Sequence, residues 1–299
     1  MPPLQIAAAC WIRAFFATAV CLLLFKTSLV AQEPNASEAL GAKGTWADFV
    51  ETNFPFFSSA LDARGLGQNF PSDNLTPRGI ILNPGKNCWA CFDTDLLRMS
   101  AIWEGKGISP VSMAQISYLF AGTKAREGEE HLPEIIGQPW LANGIYPGWQ
   151  TGERFSLVDP REPGPDKKEI GRGQLPPAGG RFKAIRLTRA GVSLEYEVAG
   201  SGIQEWLEAS LENQRAVVQR QFRVDRAAQP LWLILGRTSS NQVVNVVLSL
   251  PSAKRTVELI EENGLFVAHI FPSQKPVEFS VRIGAGVKRE TDFRYYTTK

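Results

Sequence analysis

Histidine is scarce in this sequence: 299 residues hold two, His131 and His269. So few imidazoles exclude a multi-histidine metal centre. Cysteine is almost as scarce. Of four, Cys10 and Cys21 fall in the N-terminal apolar stretch, which leaves Cys88 and Cys91 for the body of the chain. Cys88-Trp89-Ala90-Cys91 has no second CxxC to complete a four-ligand zinc site. Position 92 is Phe rather than His, so the pair is not a c-type haem attachment site. Excess charge is also missing. Lys and Arg total 32 against 30 Asp and Glu, a net +2, which gives no drive toward a phosphate backbone and excludes nucleic acid as the expected partner. There is no GxSxG elbow, no EF-hand loop and no heptad or fixed-period repeat. Gly65-Leu66-Gly67 and Gly171-Arg172-Gly173 lack the strand–turn–helix setting that cradles phosphate.

Long apolar runs are absent too. The longest, residues 14 to 25 (AFFATAVCLLLF), follows Arg13 and is interrupted by Lys26. It is too short to span a bilayer comfortably and has the length of a signal-peptide core, with cleavage expected after Ala31. An uncleaved anchor is the rival reading. Removing residues 1–31 takes away Arg13 and Lys26 and no acidic residue, which leaves 30 basic and 30 acidic side chains. The expected localisation is therefore periplasmic or secreted, with no stable membrane span after cleavage. Residues 32–44 are small and polar and read as a flexible lead-in.

What the chain does contain is β patterning. Gly79 to Leu82 reads as a strand stopped by Asn83-Pro84-Gly85-Lys86-Asn87. Asn87 to Phe92 follows, then an Asp93-Thr94-Asp95 turn, then Arg98 to Trp103 with Met99, Ala101 and Trp103 on one face. Residues 106 to 180 are less regular. Within them Glu127, Glu129, Glu130 and His131 form a polar cluster, and Ser112 to Phe120 is a short helix or strand. Pro160 to Gly180 is rich in proline and glycine and reads as an exposed loop and internal boundary. From Arg181 onward the alternation is strong. Val192, Leu194, Tyr196 and Val198 share one face, and strands follow over Ile203–Leu211, Ala216–Val224, Leu231–Leu235, Val243–Leu250, Arg255–Glu261, Leu265–Phe271 and Val277–Ile283. Leu207 to Arg220 fits an amphipathic helix as well, but the Gly and Asn breaks around it favour strands. The expected fold is mainly β: an antiparallel β-sandwich with long Pro/Gly-rich loops, spanning residues 45–299 with a loop boundary at 160–180.

The candidate chemistry gathers between Arg78 and Glu104. Cys88 and Cys91 have three readings: buried thiols, a disulfide, or a redox or metal pair. On a flat strand, residues three apart point to opposite faces, so a disulfide needs a local kink. Asp93, Asp95 and Glu104 are the acid–base candidates, against a bland reading in which the two aspartates cap a turn with Arg98 as counter-ion. Arg78, Asp93, Asp95, Arg98, Trp103 and Trp149 are the candidate ligand-binding residues. Trp140, Trp149 and Trp206 are candidate platforms for sugar rings, although core packing is the ordinary use of each. His269 reads as a plain strand residue.

Several motifs occur together in a recognisable order: Asn74-Leu75-Thr76-Pro77-Arg78-Gly79-Ile80, Cys91-Phe92-Asp93-Thr94-Asp95-Leu96-Leu97-Arg98 and Trp103-Glu104-Gly105. Pro147-Gly148-Trp149, Arg181-Phe182-Lys183-Ala184 and Gly191-Val192-Ser193-Leu194-Glu195-Tyr196-Glu197-Val198 follow. Together they resemble an uncharacterised bacterial domain family, from about Phe54 to the C-terminus. Its members stand at the N-terminus of large exported proteins that also carry a sugar-dehydrogenase-type β-propeller and a c-type cytochrome. The resemblance implies an exported, β-rich accessory domain and supplies no catalytic residues. This sequence shows no propeller and no CxxCH motif, so no cofactor is expected in it.

The expected function is a non-catalytic accessory module that binds carbohydrate or docks a haem-containing dehydrogenase partner, namely a c-type cytochrome or a propeller enzyme. A sugar-active enzyme using Asp93, Asp95 or Glu104 is the first alternative, and a purely structural domain is the second.

Overall fold

The computed structural model describes residues 54–109, 132–163, 172–189, 191–239, 244–251, 256–285 and 287. Two regions named above, 1–44 and 112–131, lie outside these residues. The described residues contain fifteen strands and no helix. In chain order they are β1 (Phe56–Asp62), β2 (Leu75–Gly85), β3 (Cys88–Asp93), β4 (Arg98–Ile108), β5 (Ile135–Ala142), β6 (Trp149–Thr151), β7 (Arg181–Thr188) and β8 (Gly191–Val198). There follow β9 (Ser201–Glu212), β10 (Arg215–Val224), β11 (Leu231–Thr238), β12 (Asn245–Ser249), β13 (Val257–Glu262), β14 (Leu265–Ile270) and β15 (Val277–Gly284).

The strands form two antiparallel sheets, as the alternation predicts. The nine-stranded sheet runs β1-β2-β3-β4-β5-β11-β14-β13, with β6 also paired to β11. The six-stranded sheet runs β12-β15-β10-β9-β8-β7. The larger sheet draws strands from both sides of the 160–180 loop, and Gly44–Lys299 is one compact unit. Between the sheets lies the main core, built from the inward residues of both, including Phe92, Leu141, Leu194, Tyr196, Val218, Phe222, Leu233 and Phe279.

Local chemistry explains the hairpins. Lys86 and Asn87 both have positive φ (57° and 58°) between the paired Gly85 and Cys88, the conformation a two-residue hairpin needs to match strand twist. Asn213 and Gln214 (49° and 65°) do the same between β9 and β10, which decides the helix-or-strand ambiguity over Leu207–Arg220 in favour of strands.

Two features depart from the sequence expectation. First, residues 106 to 180 are more regular than their composition suggests, because they supply the end of β4 and all of β5 and β6. Second, Met99 does not share a face with Ala101 and Trp103. Cys91 pairs with Ala101 but Phe92 pairs with Met99, so Ser100 is an extra residue on β4. That bulge turns Met99 into the main core and leaves Ala101 and Trp103 in a second one.

The second core exists because the sheet closes on itself. The Asp62 N–H donates to the Pro133 carbonyl at 2.8 Å, and Asp62 makes a parallel bridge with Glu134, just before β5. Strands β1 to β5 thus roll around Phe57, Leu61, Ile81, Trp89, Cys91 and Trp103. Gly105 and Gly137 are opposite one another on β4 and β5, and backbone atoms occupy the place of a Cβ at each.

Candidate functional site

The motif corner is an ion-paired knot. Oδ1 of Asp93 accepts from the backbone N–H groups of Asp95 (2.9 Å) and Leu96 (3.2 Å), the local capping that favours aspartate in turns. Its Oδ2 accepts from Arg98 Nε at 3.0 Å, and both side chains are at most 1% exposed. Arg98 also donates to the carbonyls of Asn143, Gly144 and Leu75 and to Thr76 Oγ1. All five guanidinium N–H groups therefore have a partner, which is what makes an arginine tolerable in a core. Asp95 is held by the half-exposed Arg78, with Nε to Oδ2 at 3.0 Å and Nη2 to Oδ1 at 2.9 Å. Burial pushes the Asp95 carboxyl above its ordinary range; the Arg78 hydrogen bond opposes this and the neighbouring Asp93 charge reinforces it.

Of the three acid–base candidates, Asp93 and Asp95 lie together in the turn, each engaged by an arginine, and Glu104 stands apart from them. Asp93 pairs with Arg98 at one end of the β3–β4 ladder, whereas the exposed Glu104 pairs with Cys88 at the other. Five residues of strand separate them, about 17 Å at ordinary strand rise. Carboxylates that cleave a glycosidic bond stand about 5 to 9.5 Å apart.

Four of the other candidates are also interior. Trp103 fills the rolled core and donates to the Gly107 carbonyl at 2.9 Å. Trp149 lies between the sheets and donates to the Tyr196 hydroxyl at 3.0 Å. Cys88 and Cys91 are free, buried thiols facing different cores, Cys88 the main core and Cys91 the rolled one. Both lie within β3, where residues three apart point to opposite faces of the sheet. Burial is the chief cause that pushes both thiols up to about 12, so neither is a ready nucleophile.

The motifs behind the resemblance converge on one another. Thr94 bonds to the Arg78 carbonyl through both its N–H and its hydroxyl. The Gly148 N–H donates to the Leu96 carbonyl, and a Cβ on Gly148 would stand 2.5 Å from Arg98 Cα. The Phe92 ring packs on Tyr196 (5.3 Å) and Phe182 (5.9 Å). The Tyr196 hydroxyl donates a hydrogen bond to Glu205 Oε2 (2.8 Å), and Glu205 is paired with the buried Arg220 at 2.7 Å. These residues tie the two sheets together across the main core.

A cleft does open on the outer face of the six-stranded sheet. It has a volume of about 660 Å³ and is lined by β9, β10, β15 and the end of β12. Trp206 is half-buried there, unlike Trp103, Trp140 and Trp149. Alternation along β9 puts Trp206 outward with Gln204 and Glu208, while Ile203, Glu205 and Leu207 face the core. Gln219, Gln221 and Arg223 present the outward face of β10 beside them. Gln221 Nε2 donates to Glu208 Oε2 at 3.1 Å, which fixes one wall. In the sequence Trp206 is one of three candidate tryptophans, and no motif singles out the glutamines. The signal was present in the alternation of Gln204-Glu205-Trp206-Leu207-Glu208, but an outward face becomes a cleft only when neighbouring strands align.

A family model described as a domain of unknown function (DUF6797) matches residues 90–205. That stretch is similar to an uncharacterised domain and includes the Asp93–Arg98 corner, the Pro147-Gly148-Trp149 turn and Tyr196; it ends one residue before Trp206. No curated protein and no solved structure matches the chain. Among the described residues no group of His, Cys, Asp and Glu is arranged to hold a metal ion, and no helix is long and apolar enough to cross a membrane.

Proposed function

We propose that this chain is an exported accessory module that binds carbohydrate on the outer face of its six-stranded sheet, without catalysing a reaction. The observation that carries this reading is the half-buried Trp206 ring set among Gln204, Gln219, Gln221 and Glu208 in an open cleft. A pyranose offers a C–H-rich face and a rim of hydroxyls. An indole takes the first through apolar contact, and primary amides and a carboxylate take the second as donors and acceptors. The engagement of Asp93 and Asp95 by Arg98 and Arg78, and the wide separation of Glu104 from them, support binding over hydrolysis, and the apolar run at residues 14 to 25 supports export. Docking to a haem-containing dehydrogenase is compatible with such a module, with the bound glycan bringing substrate and enzyme together.

Affinity electrophoresis through gels containing soluble polysaccharides tests the proposal. The wild-type chain is expected to be retarded in at least one gel, and Trp206→Ala to lose about tenfold or more in affinity, since a central tryptophan commonly dominates binding energy. Equal mobility of both proteins in every gel would defeat it.

A further inference from the structure

The register of the cleft carries more than the class of ligand. Trp206 pairs with Gln221, Gln221 with Ser280, and Ser280 with Ser249. These four residues form one row that crosses β9, β10, β15 and β12 at right angles to the strands. Three inter-strand steps make the row about 14 Å long. Past Trp206 and Gln221 its floor is two serines, the shortest polar side chains of the cleft. Longer residues flank it: Glu208 and Gln219 on one side, Arg223 and Glu278 on the other. The shape is a trough that starts on an aromatic platform.

Charge narrows the choice. Among the described residues lining the cleft, Arg223 is the only cation, and Glu278 (3.4 Å) and Asp225 (3.6 Å) already engage it; Arg282, paired with Gln219 in the neighbouring row of the same face, is held by Glu212. Among the described lining residues, Glu208 and Glu278 outnumber Arg223. A uronate or sulfate placed here would lose hydration without gaining a cation, which selects against acidic sugars.

We infer that the ligand is a neutral oligosaccharide segment lying across the strands, one ring on Trp206 and the next units over Gln221, Ser280 and Ser249. This rests on the carbohydrate reading above and adds to it the chain length, direction and charge of the sugar. The trough gives a long ligand contacts that a single sugar cannot make, so affinity must grow with length until the row is filled.

Isothermal titration of the wild-type chain with neutral gluco- and manno-oligosaccharides, from monosaccharide to pentasaccharide, and with oligogalacturonates of matching length tests this. Affinity for one neutral series should climb with length, gain about tenfold or more over the monosaccharide, and level off once the row is filled. The acidic series should bind more weakly at every length. Ser280→Gln raises a longer side chain from the floor and should erase the gain with length, whereas Trp206→Ala should weaken every length. Affinity independent of length, or tighter binding of the galacturonates, would overturn this inference while leaving carbohydrate binding in place. Failure of the wild-type chain to bind any of these sugars, together with equal mobility in the polysaccharide gels, would remove both.

Discussion

Arg98 shows how a charged side chain becomes a fold determinant. It is fully buried, yet every N–H it carries is donated, one to the Asp93 carboxylate and the others to backbone and hydroxyl oxygens from two separate segments, 75–76 and 143–144. Removing one partner of such a pair strands the other without water. Arg98→Met is therefore expected to destabilise the protein by about 3–5 kcal/mol, read as a lowered midpoint in urea unfolding. Glu104→Gln, two residues beyond Ile102 on the same strand but exposed, should move that midpoint by no more than about 0.5 kcal/mol. If the two variants behaved alike, the corner would not be the keystone described here. The residue types of the corner were legible in the sequence: aspartates at a turn with an arginine following are a capping arrangement. Their burial was not legible, because it depends on Asn143, Gly144 and Leu75, which arrive from strands and loops distant in the chain.

At the scale of elements, close crossings dictate where glycine stands. Gly148 belongs to the turn entering β6 and lies against the backbone of the β3–β4 turn, where an added Cβ would meet Arg98 Cα and the Leu97 carbonyl oxygen, each at 2.5 Å. Backbone cannot rotate away as a side-chain tip can. Gly148→Ala is expected to cost about 1–3 kcal/mol or more through forced overpacking, measured by thermal or chemical unfolding. Gly65 is the contrasting case: nothing lies within 4 Å of its Cβ position and its backbone is not left-handed. Gly65→Ala should be neutral, or stabilising by up to about 1 kcal/mol, because it restricts the unfolded chain. Most strands were legible as elements, since period-two alternation from Arg181 onward is a local property. β5 was not, because Gly137 and Pro139 break its pattern and its place is fixed by the β4 partner and by closure onto β1.

At the scale of the whole molecule, two cores share one sheet. The nine-stranded sheet faces the six-stranded one with its inner surface and rolls its first five strands around Trp103 and Cys91. A hydrogen-bonded chain from Trp149 through Tyr196 and Glu205 to Arg220 ties the two sheets across the main core. Both thiols are interior, one in each core, so thiol labelling of the chain from residue 45 onward reports the integrity of both at once. Neither Cys88 nor Cys91 should react in the native protein, and both should react on unfolding, in a mass shift of two labels. Because their folded values are raised from 9.0 to about 12, the stability carried by the protonated thiols is complete below the unfolded value. It is lost as pH rises from 9.0 toward 12, which predicts alkaline destabilisation that Cys88→Ser with Cys91→Ser would lessen. A single label on the native chain would mean that one core is open.

The sequence by itself determined the antiparallel β class, the hairpin turns and the balance of charge, because alternation, turn chemistry and composition act over a few residues. It placed Cys88 and Cys91 three apart in a strand-like run, where they point apart unless the strand kinks, and left the choice between thiols and a disulfide to the fold. Tertiary structure decided the rest. It decided that the motif corner is buried, that the bulge at Ser100 splits the apolar residues of β4 between two cores, and that Trp206 alone among the three candidate tryptophans faces outward into a cleft. Each of these depends on which strands lie side by side and in what register, and register is set by contacts between residues far apart in the chain.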